Sequence, residues 1–186
     1  MRKLTVFNQV SLDGYFVDAA GDMSWAKKSD PEWNAFVADN ASNAGSLLLF
    51  GRITYQMMAA FWPSALARQV APVVAEGMNS LPKVVFSRTL SEATWHNTRL
   101  IKDDLVGAVQ QLKQVDGKHI AIMGSGTIVA QLAAAGLIDE YTVVVNPLVL
   151  GQGRTMFEGL RQPLGLKLVK TRVFENGNVL LNYTPA

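Results

Sequence analysis

The residues best suited to chemistry lie in a glycine-rich turn between a predicted strand and a predicted helix. An apolar stretch at residues 119–123 leads through Gly124, Ser125 and Gly126 into a helical pattern. Glycine has no Cβ, so a ligand can approach its backbone closely, and the positive end of the following helix favours an anion, typically a phosphate. The turn departs from the dinucleotide fingerprint G-x-G-x-x-G, since Val129 occupies the third glycine position. The segment predicts a phosphate site, and a strand-to-helix turn without a ligand is the alternative.

Two further predicted strand ends carry residues that bind phosphate oxygens. Gly51, Arg52 and Thr54 follow one apolar strand, and Ser87 and Arg88 follow the next. In dinucleotide sites an arginine near the adenosine ribose accommodates a 2′-phosphate, so Arg88 favours NADP over NAD if a dinucleotide binds here. The alternatives are an ordinary helix start at Arg52 and a solvated loop arginine at Arg88.

The polar region after the first predicted strand holds candidates for substrate binding. Asp13 forms a turn pair with Gly14. Trp25 follows in a polar loop, where an aromatic side chain can close over a ring-shaped substrate. The alternatives are that Asp13 only forms the turn and that Trp25 anchors the core.

The elements that must position these residues alternate along the chain. Apolar patterns predict strands at residues 4–10, 46–50, 83–87, 119–123 and 141–150. Several are apolar on both faces, which is typical of a sheet covered by helices on both sides. Two further strands, predicted at residues 166–175 and 178–183, join through the Asn-Gly pair at 176–177, the strongest short hairpin signal.

Helical patterns separate the predicted strands. The first helix has Asp30 as a suitable N-cap and Pro31 in its first turn. Its apolar residues, at helical spacing, are Trp33, Phe36, Val37 and Ala41. A second helix begins near Asp103-Asp104 and carries Leu105, Val109 and Leu112. A third helix is predicted at residues 127–135 and is closed by Gly136. A weaker helical pattern at residues 65–78 is interrupted by Pro72. These elements predict one α/β domain over residues 1–186, with a mainly parallel sheet and an antiparallel edge.

Composition excludes several classes of function. The chain has 186 residues, 49% of them hydrophobic, and a formal net charge of +2 without a basic run, so it carries no footprint of nucleic-acid binding. Because it has no cysteine, thiolate catalysis, disulfides and cysteine metal sites are excluded, and two histidines disfavour a histidine-rich metal site. No run approaches the roughly 20 apolar residues of a membrane span, so we expect no membrane partner and a cytoplasmic protein.

Five segments together resemble a known family. In chain order they are Ser11-Leu12-Asp13-Gly14, Phe50-Gly51-Arg52-Ile53-Thr54-Tyr55, Phe86-Ser87-Arg88, Met123-Gly124-Ser125-Gly126 and Gly136-Leu137-Ile138-Asp139-Glu140. The chain is similar to the dihydrofolate-reductase-like superfamily over nearly its whole length. It resembles more closely a stand-alone relative of the reductase domain of the bifunctional riboflavin-biosynthesis deaminase-reductase, the branch that residues 146–153 also match. The resemblance implies a three-layer α/β/α fold.

The resemblance also implies NADPH as hydride donor and assigns roles around it. Cofactor phosphates would contact Gly51, Arg52 and Thr54, and the adenosine ribose phosphate would contact Ser87 and Arg88. The pyrophosphate and nicotinamide side would be wrapped by Gly124, Ser125, Gly126, Thr127 and Ile128. Gln9 and Val10, at the end of the first strand, would lie near the nicotinamide.

On the substrate side two carboxylates are the catalytic candidates, and the proton of the reaction would come from Asp30, Asp13 or water. In dihydrofolate reductases a carboxylate after the loop tryptophan binds the pterin ring, and Asp30 follows Trp25 by five residues. Capping of the helix is the alternative role of Asp30. Asp13 resembles the aspartate of the Asp-Gly pair in the riboflavin branch, where it would bind substrate or shape the loop. The deaminase zinc motif, a His-x-Glu with paired cysteines, is absent, so this chain cannot deaminate by that route.

The sequence therefore predicts an NADPH-dependent reductase of a small heterocycle or a related C=N or C=O compound. The activity of the riboflavin branch, reduction of 5-amino-6-(5-phosphoribosylamino)uracil, is one form of it, and a dihydrofolate or pterin reductase is the second. A nucleotide-binding module without catalysis and a structural dimer with an empty cleft are alternatives from other classes. A homodimer is also expected, formed by the strand at 141–150 or by the closing hairpin, although both can equally be internal sheet.

Overall fold

An eight-stranded sheet organises residues 1–26, 30–42 and 47–186, the part of the chain that the computed structural model describes. The strands in chain order are β1 (Leu4–Ser11), β2 (Tyr15–Val17), β3 (Leu47–Gly51), β4 (Lys83–Phe86), β5 (Thr98–Ile101), β6 (Ile120–Met123), β7 (Glu140–Asn146), β8 (Arg154–Thr155), β9 (Leu166–Val173) and β10 (Val179–Pro185). The large sheet has the order β5-β4-β3-β6-β1-β7-β10-β9, and β2 pairs with β8 in a small second sheet.

Six neighbouring strands of the large sheet, from β5 to β7, are parallel. β10 runs antiparallel to both of its neighbours, β7 and β9. The closing hairpin turns at Gly177, whose φ of 85° suits glycine. The predicted mostly parallel sheet with an antiparallel C-terminal hairpin is therefore confirmed.

Helices cover both faces of the sheet. They are α1 (Pro31–Ser42), α2 (Arg52–Phe61), α3 (Ala65–Val70), α4 (Pro72–Ser80), α5 (Leu105–Gln114) and α6 (Gly126–Ala134), and a short 3-10 turn spans Ser24–Ala26. In the parts of the chain described, no helix has both the length and the hydropathy needed to cross a membrane.

Alternation of side chains along the strands builds the two helical layers. On β3, Leu49 belongs to the core that contains Leu132 of α6, whereas its neighbour Phe50 belongs to the core that contains Tyr55 of α2. Trp33 of α1 forms a further core with β7 and β10. One face thus carries α1, α2 and α4 and the other α5 and α6, which confirms the three-layer arrangement.

The predicted helix ends are formed by the expected residues. One carboxylate oxygen of Asp30 accepts the Trp33 N–H at 2.8 Å at the start of α1. Asp104 caps α5 by accepting the Gly107 N–H at 2.9 Å. Gly136 ends α6 with a φ of 65°. Each of these three residues therefore lies at the helix end that the sequence predicts for it.

Several predicted boundaries need correction. The strand predicted at 141–150 ends at Asn146, because the next residue is Pro147, which has no N–H to donate to a neighbouring strand. The pattern at 65–78 forms two helices, α3 and α4, separated at Ala71 before Pro72. Ser46 and the side chain of Ala41 lie outside the described residues.

Candidate active site

A cleft of about 1390 Å³ runs along the sheet, past residues at strand beginnings such as Lys3, His119 and Glu140, and reaches the edge where β4, β3, β6 and β1 end. These strands are parallel neighbours, so their carboxyl ends lie side by side, which is the usual position of a ligand in an open α/β sheet. The predicted cofactor residues that line the cleft are Gln9, Gly51, Arg52, Thr54, Ser87, Arg88, Gly124, Ser125, Gly126, Thr127 and Ile128. The fold therefore brings together residues that are more than 100 positions apart in the sequence.

Val10 is the predicted cofactor residue that does not line the cleft. Its side chain is buried in a small core with Phe16 and Val17. Because side chains alternate along β1, Gln9 and Val10 point to opposite faces of the sheet. Only Gln9 presents its side chain to the cleft.

Hydrogen bonds lock the turn after β6 to the start of α2. Ser125 has a φ of 61°, and its N–H donates to the Thr54 hydroxyl at 3.2 Å. The Ser125 hydroxyl accepts the Gly51 N–H at 2.7 Å and donates to the Met123 carbonyl at 3.1 Å. Thr54 and Ser125 thus join the two loops on this side of the cleft, a role that the sequence did not indicate.

Close protein contacts give one reason for glycine at two positions of this turn. Gly124 has a φ of 59°, and a Cβ at that position would lie 2.9 Å from the Thr54 methyl carbon. A Cβ on Gly126 would lie 2.8 Å from the Thr155 carbonyl oxygen. Both glycines still line the cleft, so the approach of a ligand to their backbone N–H groups stays a prediction.

Two helices begin at the cleft with N–H groups free for an anion. The Ser125 side chain does not cap α6, because its hydroxyl is engaged by Gly51, and no described hydrogen bond uses the N–H of Gly126 or Thr127. α2 likewise has no side-chain cap at its start. Such uncapped helix starts carry partial positive charge. The exposed guanidinium of Arg52, which donates to Gln56 at 3.1 Å, adds a full charge beside them.

Ser87 and Arg88 occupy the outer end of the cleft. The Ser87 hydroxyl accepts the N–H groups of Thr89 and Leu90, at 3.2 and 2.9 Å, and so shapes the turn after β4. Arg88 is exposed, and its guanidinium has no ion pair or hydrogen bond with the described residues. This arginine is therefore free to meet an anionic ligand.

Trp25 and Asp13 do not line the cleft. The Trp25 indole N–H donates to the Asp22 carbonyl at 3.1 Å, which fixes the ring within its own loop. Asp13 is exposed and accepts the N–H groups of Leu150 and Gly151, at 3.1 and 2.7 Å. The pKa of Asp13 is lowered, mostly by the hydrogen bond from the Ser11 hydroxyl and further by these two backbone N–H groups. Asp13 thus ties the first loop to the loop after β7.

Asp30 also lies outside the lining of the cleft, but its helix contributes to it. Trp33 and Val37 of α1 line the cleft one and two turns further on. Only one Asp30 oxygen takes part in capping. Capping therefore leaves one carboxylate oxygen of Asp30 buried and without a hydrogen-bond partner in the described structure.

The apolar wall of the cleft was missed by sequence reasoning. Ile53, Met57 and Phe61 follow one another at helical spacing on α2, line the cleft, and belong to none of the buried cores. Their i, i+4, i+8 spacing was a detectable signal. They lie on the same side of the sheet as Trp33 and Val37, so this part of the cleft is mostly apolar.

Comparison with known proteins gives a consistent result. Residues 2–180 match the model of the RibD C-terminal domain family. Over 182 residues the chain is 28% identical to the uncharacterized protein YyaP of Bacillus subtilis (strain 168), with 98% of this chain and 94% of that protein covered.

Solved structures show the same fold. A diaminohydroxyphosphoribosylaminopyrimidine deaminase/5-amino-6-(5-phosphoribosylamino)uracil reductase from Thermotoga maritima superposes with a TM-score of 0.71 at 17% identity, over 100% of this chain and 57% of that chain. Dihydrofolate reductase from Enterococcus faecalis, solved with NADP(H) and RAB-propyl, superposes with a TM-score of 0.63 at 14% identity, over 98% of this chain and 96% of that chain. Both likenesses concern the arrangement of the elements.

Proposed function

This chain belongs to the RibD C-terminal domain family, and from that premise we propose that it is an NADPH-dependent reductase of a small heterocycle or a related C=N or C=O compound. The observation that carries the proposal is the convergence of two uncapped helix starts and the unpaired Arg88 on one cleft. When bound, the dinucleotide supplies the hydride, and the protein supplies binding, orientation and a site that excludes water.

The residues present fit the phosphates of such a cofactor. The N–H groups at the starts of α2 and α6 would bind the pyrophosphate, with Arg52 as counter-charge. Arg88 would meet the 2′-phosphate of the adenosine ribose, and Ser87 would hold the turn that presents it. The bonds among Gly51, Thr54 and Ser125 fix both helix starts before any ligand arrives.

The apolar wall supports substrate binding on the α1 side of the cleft. Trp33, Val37 and Met57 would enclose a ring and exclude water from the reacting atoms. The unpartnered oxygen of Asp30 is the better of the two carboxylates for substrate binding or proton delivery, because both oxygens of Asp13 hold backbone N–H groups. Asp13 would instead maintain the loop beside the substrate.

Nucleotide titration tests the proposal. Trp33 and Trp62 line the cleft, so tryptophan fluorescence reports on binding. We expect quenching and a rise in thermal stability with NADPH, and weaker effects with NADH. The absence of any response to both nucleotides would reject both the reductase and the nucleotide-binding module.

A substrate screen separates the enzyme from the module. The loss of NADPH absorbance is followed across ribosyl-pyrimidines, pterins and folates. Oxidation with a pterin or dihydrofolate would establish the second candidate, which the orphan Asp30 oxygen at the start of α1 favours. Binding of NADPH without oxidation by any of these compounds supports a module that has kept the cleft and lost the chemistry.

A homodimer through β9 is part of the proposal. β7 lies between β1 and β10, so the late apolar strand is internal sheet. β9 is the edge strand, and its residues Leu168, Val169 and Val173 are 49%, 59% and 69% exposed. An exposed edge strand of eight residues can pair with another chain through such apolar side chains, with its cations Lys167, Lys170 and Arg172 left in solvent. We expect light scattering to show a dimer for the wild-type protein and a monomer for Val169→Lys. A monomeric wild-type protein would contradict this part of the proposal.

A further inference from the structure

The amide of Asn146 is oriented by carbonyl groups at the end of β7. Asn146 is fully buried, and its Nδ2 lies 3.3 Å from the Val10 carbonyl, the Val144 carbonyl and the Gln9 Oε1. Backbone carbonyls only accept hydrogen bonds. The reversed amide would place Oδ1 against two carbonyl oxygens, so Nδ2 must face them.

The orientation of Asn146 determines that of Gln9. Since the Asn146 amide nitrogen faces Gln9, the acceptor end of the Gln9 amide, Oε1, must face Asn146. The opposite end, Nε2, then points away from Asn146. Gln9 lines the cleft, and no hydrogen bond within the described part of the chain uses its Nε2. Gln9 therefore presents Nε2 to the cleft as a hydrogen-bond donor, and the contact with Asn146 fixes the orientation of that donor.

The donor lies on the substrate side of the cleft. Gln9 shares a sheet face with Phe7, two residues earlier on β1, and Phe7 packs against the core of Trp33. α6 and the turn that leads into it continue to the other face of the sheet. A ligand group that meets Gln9 thus lies between α1 and α2, among the apolar residues of the wall.

We propose that Asn146 positions Gln9 to donate a hydrogen bond to a carbonyl oxygen of the substrate ring, so that the cleft selects oxo-heterocycles over their amino counterparts. The inference rests on the proposed function and names the class of its substrate. Gln9 contacts the ligand, and Asn146 acts only through Gln9. A ring amino group at the same place would set its own N–H donors against the N–H donors of Gln9 and leave the Gln9 N–H groups unpaired.

A matched pair of ligands tests this selection. Pterin and 2,4-diaminopteridine differ in one ring substituent, oxo in the first and amino in the second. Dissociation constants are measured at pH 7 by fluorescence with saturating NADP⁺. We expect wild-type protein to prefer pterin about tenfold, which corresponds to about 1.4 kcal/mol. Gln9→Leu should abolish the preference, and Gln9→Glu, which only accepts, should reverse it.

The positioning role of Asn146 has its own readout. Asn146→Leu frees the Gln9 amide to rotate and present either end, so the pterin preference should fall to about twofold while NADP⁺ affinity is unchanged. Asn146→Ser is the second variant, to be measured if Asn146→Leu folds poorly. Asn178→Leu is the matched control, because Asn178 is also a fully buried asparagine, makes no side-chain hydrogen bond to Gln9 and does not line the cleft.

The possible failures are distinguishable. Equal dissociation constants for the two pteridines in wild-type protein, or no binding of either while NADP⁺ binds, overturn the inference and leave the reductase proposal standing. An unchanged pterin preference in both Asn146 variants overturns the positioning role. A protein that binds neither NADP⁺ nor NADPH overturns the proposed function and the inference with it.

Discussion

Arg88 leaves the end of β4 with an exposed guanidinium and lines the cleft. If it binds the 2′-phosphate, Arg88→Ala should weaken NADPH binding by roughly 1.5–3 kcal/mol, the worth of a hydrogen bond to a charged group. NADH has no 2′-phosphate, so its affinity should change little. Fluorescence titration of both nucleotides measures the difference, with Arg99→Ala, an exposed arginine outside the cleft, as the control. Equal losses for NADPH and NADH would show that Arg88 does not recognise the 2′-phosphate.

Asn178 is a second residue with a specific energetic expectation. It is fully buried after the hairpin turn, and neither polar atom of its amide has a hydrogen-bond partner in the described structure. Burial of an unpaired amide opposes folding by about 1–3 kcal/mol. Asn178→Leu, which is close in size and apolar, should therefore raise the free energy of unfolding by about 1 kcal/mol in urea denaturation.

The contrast with Asn146 makes this expectation sharp. Asn146→Leu removes one buried oxygen without a partner, Oδ1, but also the contacts of Nδ2 to two carbonyls and to Gln9, and should lower the free energy of unfolding. A loss of stability in Asn178→Leu similar to that in Asn146→Leu would mean that the Asn178 amide is hydrogen-bonded in solution.

The strand–turn–helix unit from β6 to α6 is limited by steric contact at Gly124. An alanine there must adopt a φ of 59°, and its Cβ would lie 2.9 Å from the Thr54 methyl carbon. Gly124→Ala should lower the free energy of unfolding by about 1–2 kcal/mol and weaken NADPH binding, because the starts of α2 and α6 are displaced. Urea denaturation and nucleotide titration measure the two effects.

A second substitution separates the two causes of the strain. Thr54→Ser removes the methyl group but keeps the hydroxyl that accepts the Ser125 N–H. In the Gly124→Ala background it should restore part of the stability, leaving the cost of the positive φ. Gly165→Ala is the control, since its Cβ would make only an ordinary contact at 3.4 Å. An additive loss in the double variant would show that the methyl contact is not the source of strain.

The elements differ in how far sequence could predict them. β3, β4 and β6 are buried on both faces, so their apolar runs were visible, and the capping residues Asp30 and Asp104 marked two helix starts. β5 has four residues and no buried position, while β8 has two residues, so neither has a periodicity to detect. Local pattern therefore identifies the interior of the sheet better than its edges.

Parts of the site depend on register and could not be predicted. Asn146 meets Gln9 because Ser11 and Asn146 are register partners in the pairing of β1 with β7. The bond between Ser125 and Thr54 likewise joins residues 71 positions apart. Both arise from tertiary pairing, whereas the positions of Arg52 and Arg88 follow from strand ends that the sequence marks. The charged cleft residues were thus predictable, and the polar contacts between distant segments of the chain were not.

At the scale of the whole molecule, stability at alkaline pH depends on a buried lysine that joins α4 to the sheet. Lys83 is 1% exposed, and its ammonium group donates to the carbonyls of Asn79, Leu81 and His96 at 3.1, 2.6 and 3.2 Å. The ammonium group also lies 4.6 Å from the centre of the Trp95 ring. Neither of the ion pairs within the described residues involves it. Burial lowers the pKa of Lys83 to about 8 from its ordinary 10.5.

The sign of the pH effect follows from this lowered pKa. Between pH 8 and 10.5 the unfolded chain binds the Lys83 proton more tightly than the folded chain does. The contribution of Lys83 to the free energy of unfolding therefore rises with pH across this window, and it is lost as the pH falls through 8. Other groups also titrate there, so the measured quantity is the difference in unfolding free energy between wild type and Lys83→Met. That difference should grow in favour of wild type by about 1–3 kcal/mol from pH 7 to pH 10, since the carbonyls and the ring partly stabilise the cation. Lys167→Met, on the exposed edge strand β9, should give a flat difference. A flat curve for Lys83→Met as well would mean that the three carbonyls and Trp95 compensate fully for burial of the charge.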